Sequence, residues 1–578
     1  MFPVRLLQSQ LFFHFQKSEQ SRESDGSGRA PKKNRSGTYY TPHRLAEFLL
    51  DEVLPWDGTK TSFRILDPAC GSGIFLVEAY RRLVGRWQQA NPGRRPAPTV
   101  LRQLLTRNLF GVDQNPEAVR VASFSLCLTM CDYIEPRHLW QRVIFPRLRE
   151  RNLRAEDFLE FANSAGQRVG KFDLVVGNPP WESRLSGPAR GFLAEKGYAV
   201  GDNQIAQVFL WAAPDLCKPK GELCLIAPSK GLLFNTSKPN LRFRSEFFRK
   251  FRVKTIVNFS ALRKTLFANA AGPAAAVFYR PGPPGPNAHI LYCCPKPWHS
   301  PEDRWHYIIE HHDISRIDAD VAAENRHIWK AAMWGSPRDW ELIKKLSALP
   351  CLQDLCSKRG WIHGEGFTIG TQEKKQTEAP WVTGKPLVLP GQLRRFAVDE
   401  RLLGACTTTH FERPRSENRA IFQGPHLLVK QSPKAKEGLV AALLRGDAVF
   451  NHSLLGIGAA PNEEGELGAL CVALATNICL YYAMFTSARW LVERDELDKN
   501  EIMSFPIPSA LMRGELVVPY SELQRMAAEG DARERWLARM AQAYGLSENE
   551  IMQVNDAVRE TVAALPGTCY PALARWSV

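Results

Sequence analysis

From Gly37 to Arg280, short apolar runs rich in β-branched residues alternate with longer amphipathic stretches. The short runs predict buried strands, and the stretches with apolar positions three to four residues apart predict helices that cover them. The predicted strands are Phe63–Leu66, Leu109–Val112, Leu174–Val176, Leu223–Ile226, Thr255–Asn258 and Ala275–Tyr279. The predicted helices include Ile74–Leu83, Glu117–Cys131 and Ile205–Leu216. This alternation is typical of a doubly wound, mostly parallel α/β sheet.

The pattern changes on both sides of this region. Residues 16–36 are polar, charged and rich in Gly and Ser. They bury too little apolar surface to offset the entropy of ordering, so we predict a disordered or loosely docked N-terminal segment. The run Arg280–Pro286 contains four prolines and two glycines, and it cannot continue a helix or a central strand. It therefore marks either the end of a folded unit or a sharp exposed loop.

The second half of the chain has a mixed pattern. A short helix is predicted at Pro337–Leu346, followed by short strands with scattered glycines and a strongly apolar helical segment at Leu467–Phe485. The C-terminal stretch is helical, and Ser547 and Glu550 have the spacing of a capping box. We predict four segments: the loosely docked terminus 1–36, the α/β domain 37–330, an α+β domain 331–510 and a helical tail 511–578.

Charge favours a polyanionic partner. The sequence has 75 Lys and Arg residues against 60 Asp and Glu residues, a formal net charge of +15. Each phosphate that a cation neutralises releases condensed counterions, which makes such an excess useful for binding nucleic acid. A basic protein without a nucleic-acid role would share this composition, so the sequence motifs have to distinguish between the two interpretations.

Cysteine usage and hydropathy set further expectations. The 13 cysteines include no C-x-x-C pair, so we expect reduced thiols and no zinc site. No apolar run reaches the roughly 20 residues that span a bilayer. Met1–Phe15 is interrupted by Arg5, and no small-residue cleavage site follows it, so we predict neither a signal peptide nor a membrane contact. The predicted location is the cytoplasm.

The first candidate site is the turn after the first predicted strand, Asp67-Pro-Ala-Cys-Gly-Ser-Gly73. Glycines at Gly71 and Gly73 let the backbone approach a ligand, and the following helix offers unpaired amides and positive potential. A Gly-x-Gly turn alone would suit any tight connection from strand to helix. Asp67 adds information, because an acid at the end of this strand suits a ligand that carries an ammonium group.

The second predicted strand also ends in an acid, Asp113. In a doubly wound sheet, the acid after the second strand can bind the two ribose hydroxyls of a nucleoside cofactor. Asp113 follows Asp67 by 46 residues, more than the roughly 20 expected at a dinucleotide site, and extra helical sequence accounts for the excess. A solvated turn acid or a helix cap is the alternative interpretation.

The strand predicted at Leu174–Val176 leads into Asn178-Pro179-Pro180-Trp181. Two consecutive prolines fix the backbone and remove its donors, which leaves rigid carbonyl acceptors. The Asn178 side-chain oxygen and the Pro179 carbonyl could accept both hydrogens of an –NH2 group, so that the nitrogen lone pair faces an electrophilic methyl group. Trp181 offers a face for stacking a planar base, worth roughly 1–3 kcal/mol. A proline-stiffened turn with a packed tryptophan is the structural alternative.

The glycine turn followed by Asn178–Trp181 resembles the N6-adenine-specific DNA methyltransferase family, in the motif order of its gamma class and restriction-modification type. The resemblance covers roughly residues 37–280 and implies a Rossmann-like domain, S-adenosylmethionine as cofactor and no metal. The residues implied for cofactor binding are Thr41, Asp67, Ala69, Gly71, Gly73, Asp113, Asp157, Phe158 and Asn178. Those implied for catalysis are Asn178, Pro179, Pro180, Trp181 and Phe267.

Three weaker matches supply some of these residues. Gly37–Pro42 resembles the family's N-terminal motif, in which the Thr41 position helps to hold the methionine end of the cofactor. Glu156–Phe158 is similar to the segment whose acid binds the cofactor adenine and whose Phe packs against it. Phe267–Pro273 resembles the eighth motif, in which an aromatic residue at the Phe267 position stacks on the opposite face of the flipped base.

The resemblance implies direct methyl transfer to an adenine that is extruded from duplex DNA. No covalent nucleophile is required, and Cys70, inside the cofactor loop, is expected to pack rather than react. Residues 331–510 resemble, less specifically, the target-recognition domains of such enzymes. The implied partners are double-stranded DNA and a separate restriction endonuclease or defence-system subunit, in a bacterial or archaeal cytoplasm and on the nucleoid. We see neither a fused nuclease motif nor room for one in the short N-terminal segment.

Three other functions stay open on the sequence alone. Protein glutamine methyltransferases also use Asn-Pro-Pro-aromatic loops, although they are usually more compact. An RNA adenine methyltransferase would use the same loop. A catalytically silent DNA-binding subunit is the third alternative, against which the complete set of Asp67, Asp113 and Asn178 argues.

Overall fold

The computed structural model describes residues 13–14, 41–136, 139, 143–164, 170–266, 272–299, 305–368, 377–407, 410–411, 413–414, 419–433, 438–494 and 496–563. The chain forms two compact units, Met1–Trp329 and Lys330–Val578. The division falls one residue before the predicted end of the α/β domain. The predicted loose terminus, 1–36, lies outside the described residues except for positions 13–14.

The first unit is organised around a nine-stranded sheet among its described residues. Its strands are β1 (Ile65–Asp67), β2 (Leu109–Asp113), β3 (Leu153–Ala155), β4 (Phe172–Gly177), β5 (Cys217–Pro228), β6 (Arg252–Asn258), β7 (Ala274–Arg280), β8 (His289–Cys293) and β9 (Ile314–Asp318). Their spatial order is β3-β2-β1-β4-β5-β7-β6-β8-β9. The five strands from β3 to β5 run parallel, and β7 is antiparallel to both of its neighbours.

Helices cover this sheet. They are α1 (His43–Val53), α2 (Ile74–Ala90), α3 (Pro98–Asn108), α4 (Pro116–Cys131), α5 (Phe158–Asn163), α6 (Gly187–Lys196), α7 (Ile205–Ala212), α8 (Lys238–Lys250), α9 (Arg263–Leu266) and α10 (Ala319–Glu324). The fully buried stretches of the central strands, Leu174–Val176 in β4 and Leu223–Ala227 in β5, are apolar because helices bury both faces of a parallel sheet. The α/β fold predicted from the sequence is confirmed, and every predicted strand and helix overlaps an observed one.

Several features of this unit differ from the expectations. Strands β3, β8 and β9 were not predicted, and β3 carries the polar Arg154 as the middle of only three residues. The run Arg280–Pro286 does not end the folded unit. It is a loop between β7 and β8, which belong to the same sheet, so the second of the two interpretations is correct. A further small sheet pairs Phe13–His14, Lys296–His299 and Trp305–Ile308.

The second unit contains a four-stranded antiparallel sheet, in the order Ile362–Glu365, Leu454–Gly458, His426–Lys430 and Ala441–Leu444. Shorter strands pair as Phe367–Thr368 with Arg413–Pro414, Thr377–Glu378 with His410–Phe411, Pro386–Val388 with Gly404–Ala405 and Val449–Phe450, and Leu393–Arg394 with Ala397–Val398. The helices from the boundary onward are α11 (Ile328–Trp334), α12 (Pro337–Ser347), α13 (Leu352–Arg359), α14 (Glu464–Leu474), α15 (Asn477–Thr486), α16 (Lys499–Met503), α17 (Ser509–Arg513), α18 (Tyr520–Ala528), α19 (Gly530–Ala543) and α20 (Glu548–Ala563).

The described part of the predicted tail, residues 511–563, contributes to the core of this unit. Leu523, Met540 and Val554 are buried in the same apolar cluster as α14 and α15. The capping box is confirmed, since the Ser547 backbone N–H donates to the Glu550 carboxylate at 2.7 Å and the Glu550 N–H donates to the Ser547 hydroxyl at 3.3 Å.

The predicted apolar segment Leu467–Phe485 is two helices, α14 and α15, with a bend of 60° between them. Thr476 lies at the break in an extended conformation, and its hydroxyl donates to the Ala473 carbonyl at 2.7 Å. Within the described part of the chain, no single helix is long and apolar enough to cross a membrane; the bent pair would pass by length and composition, and both helices contribute to the buried core of the unit.

Candidate active site

The sheet order brings the candidate residues to one edge. Strand β1 lies between β2 and β4, and all three run parallel, so Asp67, Asp113 and Asn178 lie at or directly after the carboxyl ends of adjacent strands. The chain passes from β1 to β2 on one side and returns to β4 on the other. Ligands of open α/β sheets bind in the crevice at such a reversal of strand order.

The glycine turn is fastened to the end of β2. Gly71 and Gly73 have φ values of 50° and 92°, in the left-handed region that favours glycine. The Gly71 N–H donates to the Asp113 Oδ2 at 2.9 Å, and the Cys70 N–H donates to the Val112 carbonyl at 2.9 Å. A Cβ built on Gly71 meets nothing within 4 Å, so the turn leaves open space beside its backbone.

Asp113 holds this turn through one oxygen and the next loop through the other. Its Oδ1 accepts the Asn115 backbone N–H at 2.8 Å. The N-cap of α4 is Asn115 and not Asp113, because the Asn115 side chain accepts the Glu117 N–H at 3.0 Å. A carboxylate has about four acceptor positions, so these two bonds leave capacity for hydroxyl donors.

Asp67 is a buried acid, with 1% of its surface exposed. Burial raises its pKa to about 8, against the lowering effect of the hydrogen bond from the Ala69 N–H at 3.1 Å. Among the described residues no ion pair joins Asp67 to a cation. A buried carboxyl group without a compensating charge is suited to a cationic ligand, since the charged pair stabilises both partners.

Asp157 and Phe158 lie at the start of α5. The Asp157 Oδ1 caps the helix by accepting the Leu159 N–H at 2.8 Å. Its Oδ2 accepts from the Gln114 side chain at 2.7 Å and from the Ser186 hydroxyl at 3.4 Å. Sequence reasoning missed Gln114, although its position directly after the strand acid Asp113 was an available signal.

The ring of Phe158 is buried and stacks on Phe209, with centroids 4.7 Å apart and an interplanar angle of 20°. Phe209 lies in α7 and carries no motif of its own in the sequence, so it was not predicted. Phe158 directly follows Asp157 in the chain, so this buried aromatic pair lies close to the acid that caps α5. An apolar aromatic group beside a hydrogen-bonding acid suits a planar heterocycle.

The Asn178–Trp181 loop directly follows β4. The Trp181 Nε1 donates to the Asn178 Oδ1 at 3.0 Å, and the Asn178 Nδ2 donates to the Thr41 Oγ1 at 3.2 Å. Pro179 is buried and Trp181 is half-buried. The structure therefore joins Thr41 to the Asn-Pro-Pro-Trp motif across 137 residues of sequence. The predicted stacking residue Phe267 lies outside the described residues.

Comparison with known proteins identifies this region. Residues 107–265 match the family model described as the Eco57I restriction-modification methylase. This segment is similar to the Eco57I-type methylase domain. The matched segment of this methylase domain runs from the end of α3 through Asn178 to α9, and the glycine turn at Asp67–Gly73 precedes it. The family predicted from the sequence is confirmed.

Curated relatives align with parts of the chain. The Type II methyltransferase M.VspI of Vibrio sp. is 26% identical over 191 residues, which cover 33% of this chain and 36% of the relative. The adenine-specific methyltransferase PglX of Streptomyces coelicolor is 29% identical over 175 residues, which cover 24% of this chain and 14% of the relative. The chain thus spans about a third or less of the length of these relatives.

A solved structure extends the likeness of fold beyond the methylase domain. The Type IIL restriction-modification enzyme MmeI, solved in complex with DNA, superposes with a TM-score of 0.51. The match covers 90% of this chain and 75% of that enzyme, with 11% sequence identity. At this identity the likeness concerns the fold alone.

Cys70, inside the glycine turn, has a thiol suited to packing. Its side chain is buried, and burial raises its pKa well above the ordinary value. The thiolate is the reactive form of cysteine, so this group is held in its unreactive state.

Proposed function

We propose that the chain transfers a methyl group from S-adenosylmethionine to the exocyclic N6 amine of adenine in double-stranded DNA. The observation that carries the proposal is the rigid Asn178–Trp181 loop, which lies beside an acid-flanked glycine turn at the same edge of the sheet. The relatives named as adenine-specific support adenine as the methyl acceptor.

The residues at the edge fit this cofactor. Asp67 is a buried acid for an ammonium group, and the open backbone at Gly71 admits a ligand. Asp113 has acceptor capacity for two ribose hydroxyls, and Asp157 with Phe158 offers an acceptor and an aromatic surface for an adenine ring. When bound, S-adenosylmethionine supplies a methyl group on a positively charged sulfur.

Asn178 and Pro179 orient the accepting amine. The Asn178 Oδ1 and the Pro179 carbonyl accept the two amine hydrogens, which leaves the nitrogen lone pair directed away from both oxygens. The same oxygens stabilise the positive charge that develops on the nitrogen during attack. Catalysis therefore depends on orientation and on fixed dipoles, without a covalent intermediate.

The target base has to leave the duplex to reach this loop, at a cost of a few kcal/mol of unstacking. Stacking on Trp181 offsets part of this cost. Phe267 is proposed to cover the opposite face of the base. Residues 331–510 are proposed to select the DNA sequence, and phosphate contacts by the basic surface would set the register of the protein on the duplex.

RNA and protein glutamine are the competing acceptors, and a silent DNA-binding subunit is the competing non-enzymatic function. The net charge of +15 and the fold shared with an enzyme solved on DNA both favour DNA over a protein substrate. We propose that the protein acts in the cytoplasm of a prokaryote within a restriction-modification or related defence system, with a nuclease or defence subunit as a separate partner.

The decisive test supplies labelled cofactor with duplex DNA, RNA of the same sequence or a glutamine-bearing protein. We expect label in duplex DNA, and loss of at least about a hundredfold in rate for Asn178→Ala, because removal of one preorganised electrostatic contact in the transition state costs about a hundred- to thousandfold. Binding of S-adenosylhomocysteine, measured by calorimetry, should survive in this variant. Asn500→Ala, an exposed asparagine in the second unit, is the control.

Label in RNA or protein with none in DNA would contradict the substrate assignment, and near-normal turnover by Asn178→Ala would contradict the assigned role. Methylation-sensitive sequencing of DNA from cells that express the protein then reads the modified base and its sequence context together.

A further inference from the structure

The orientation of the Asn178 amide is set by two other side chains. An asparagine amide has an oxygen on one side and an NH2 group on the other, and the two are assigned from their hydrogen-bond partners. The indole N–H of Trp181 can only donate, so the atom that it meets at 3.0 Å has to be the Asn178 oxygen. The Asn178 Nδ2 then faces the Thr41 hydroxyl at 3.2 Å.

We propose that the Trp181 indole N–H and the Thr41 hydroxyl are positioning groups that hold the Asn178 oxygen toward the substrate amine. This inference rests on the proposed function, since it concerns the same loop. A half-turn of the Asn178 amide would present its NH2 group to another NH2 group. Two donors would then face each other, and the amine lone pair would lose its orientation.

The loop geometry favours this arrangement. Trp181 follows Asn178 by three residues, and Pro179 and Pro180 between them have fixed φ angles, so the separation of the two side chains varies little. An amide oxygen has two lone pairs, so an oxygen that accepts the indole N–H can still accept an amine hydrogen. The bond to Trp181 therefore preorganises the acceptor rather than blocking it.

The inference gives Trp181 a second role beside stacking. A phenylalanine at this position would present an aromatic face to the base but would have no donor for Asn178. It also gives Thr41 a role on the catalytic side of the site, because its hydroxyl is bonded to the amide that contacts the amine. Stacking and positioning can be separated by changing one atom of the indole ring.

The experiment places β-(3-benzothienyl)alanine at position 181, which replaces the indole N–H by sulfur and keeps the size and face of the ring. At saturating DNA and cofactor, we expect the single-turnover rate constant to fall about tenfold, the effect of one lost hydrogen bond in the transition state. The KM for DNA and the fluorescence of 2-aminopurine at the target position should change by less than about twofold, because stacking is retained.

Thr41 supplies a matched pair of variants. Thr41→Val removes the hydroxyl at nearly constant volume and should lower the same rate constant, whereas Thr41→Ser keeps the hydroxyl and should restore most of it. An unchanged rate in both the benzothienyl and the Thr41→Val proteins would overturn the inference. A rate loss that appears equally in Thr41→Ser would also overturn the role of the hydroxyl.

A structural readout separates this inference from the proposed function. The indole N–H resonance of Trp181 is identified by its absence in Trp181→Phe, and it should shift and exchange faster with solvent in Asn178→Ala. If the wild-type protein methylates no DNA, the proposed function fails whatever the resonance does. If the protein methylates DNA but the resonance is indifferent to Asn178→Ala, the positioning bond is absent and the inference fails.

Discussion

At the scale of single residues, the buried carboxyl group of Asp67 links the cofactor site to the stability of the protein. Burial raises its folded-state pKa to about 8, whereas an unfolded aspartate titrates near pH 4. Between these two values the folded protein keeps a proton that the unfolded chain has lost. The contribution of Asp67 to the free energy of unfolding is therefore greatest below about pH 4 and decreases as the pH rises toward 8.

This pH dependence leads to a prediction for the Asp67→Asn variant. Asparagine does not titrate, so the free energy of unfolding of the variant should decrease less than that of the wild type between pH 5 and pH 8. The variant should therefore become more stable relative to the wild type as the pH rises. Urea denaturation at several pH values measures the difference. Asp132→Asn, which changes an exposed aspartate, is the control and should follow the wild-type profile. Parallel profiles for wild type and Asp67→Asn would mean that Asp67 ionises normally in the folded protein.

A substitution of Gly177 tests how closely strands β1 and β4 approach each other at the site. A Cβ on Gly177 would lie 2.5 Å from the Asp67 Oδ1 and 2.9 Å from the Pro68 ring, both too short for real contacts. We expect Gly177→Ala to displace Asp67, to cost about 1–3 kcal/mol of stability and to weaken S-adenosylhomocysteine binding. Calorimetry and thermal denaturation measure the two effects.

Gly187→Ala is the matched control for this substitution, because a Cβ at Gly187 meets nothing within 4 Å. It should leave both stability and cofactor-analogue binding close to the wild type. Normal binding by Gly177→Ala together with unchanged stability would show that the strands separate easily at this point.

The sequence located the principal polar groups of the site, but it could not provide their contacts. Asp67, Asp113 and Asn178 end or follow buried strands, and parallel strands bring such residues to one edge, so their proximity was predictable. The bond between Thr41 and Asn178 was not, since it joins residues 137 positions apart. Their chemical roles stay predictions until the variants are measured.

At the scale of elements, the central strands were predictable from the sequence because both of their faces are buried. A strand segment covered by helices on both sides is apolar at every position, and Leu174–Val176 in β4 and Leu223–Ala227 in β5 stand out for that reason. Strand β3 gave no such signal because the polar Arg154 is the middle of its three residues. The helix break at Thr476 was hidden by the strongly apolar sequence on either side of Thr476 and Asn477, in which periodicity cannot distinguish one helix from two.

The capping box at the start of α20 allows the contribution of one helix end to stability to be tested on its own. Ser547→Ala removes the acceptor of the Glu550 N–H and should lower the free energy of unfolding by about 1 kcal/mol. Ser521→Ala, which changes an exposed serine inside α18, should have an effect within about 0.5 kcal/mol. Denaturant unfolding followed by circular dichroism measures both, and an equal effect of the two variants would contradict a specific cap.

At the scale of the whole molecule, charge bears on the choice of substrate. A net charge of +15 is of little use in binding a neutral protein segment, whereas on duplex DNA each neutralised phosphate adds to affinity through counterion release. Cofactor binding depends instead on a local set of groups around Asp67 and Asp113. The two binding reactions should therefore respond differently to salt.

We predict that the logarithm of the association constant for duplex DNA falls with the logarithm of salt concentration with a slope of about −4 or steeper, which corresponds to roughly five phosphate contacts. Fluorescence anisotropy of a labelled duplex between low and physiological salt measures this slope. Over the same range, the affinity for S-adenosylhomocysteine should change by less than about twofold, because buried charges are weakly screened. A shallow slope for DNA would mean that the positive charge has no function in substrate binding. It would then favour a protein as the methyl acceptor of the Asn178–Trp181 loop.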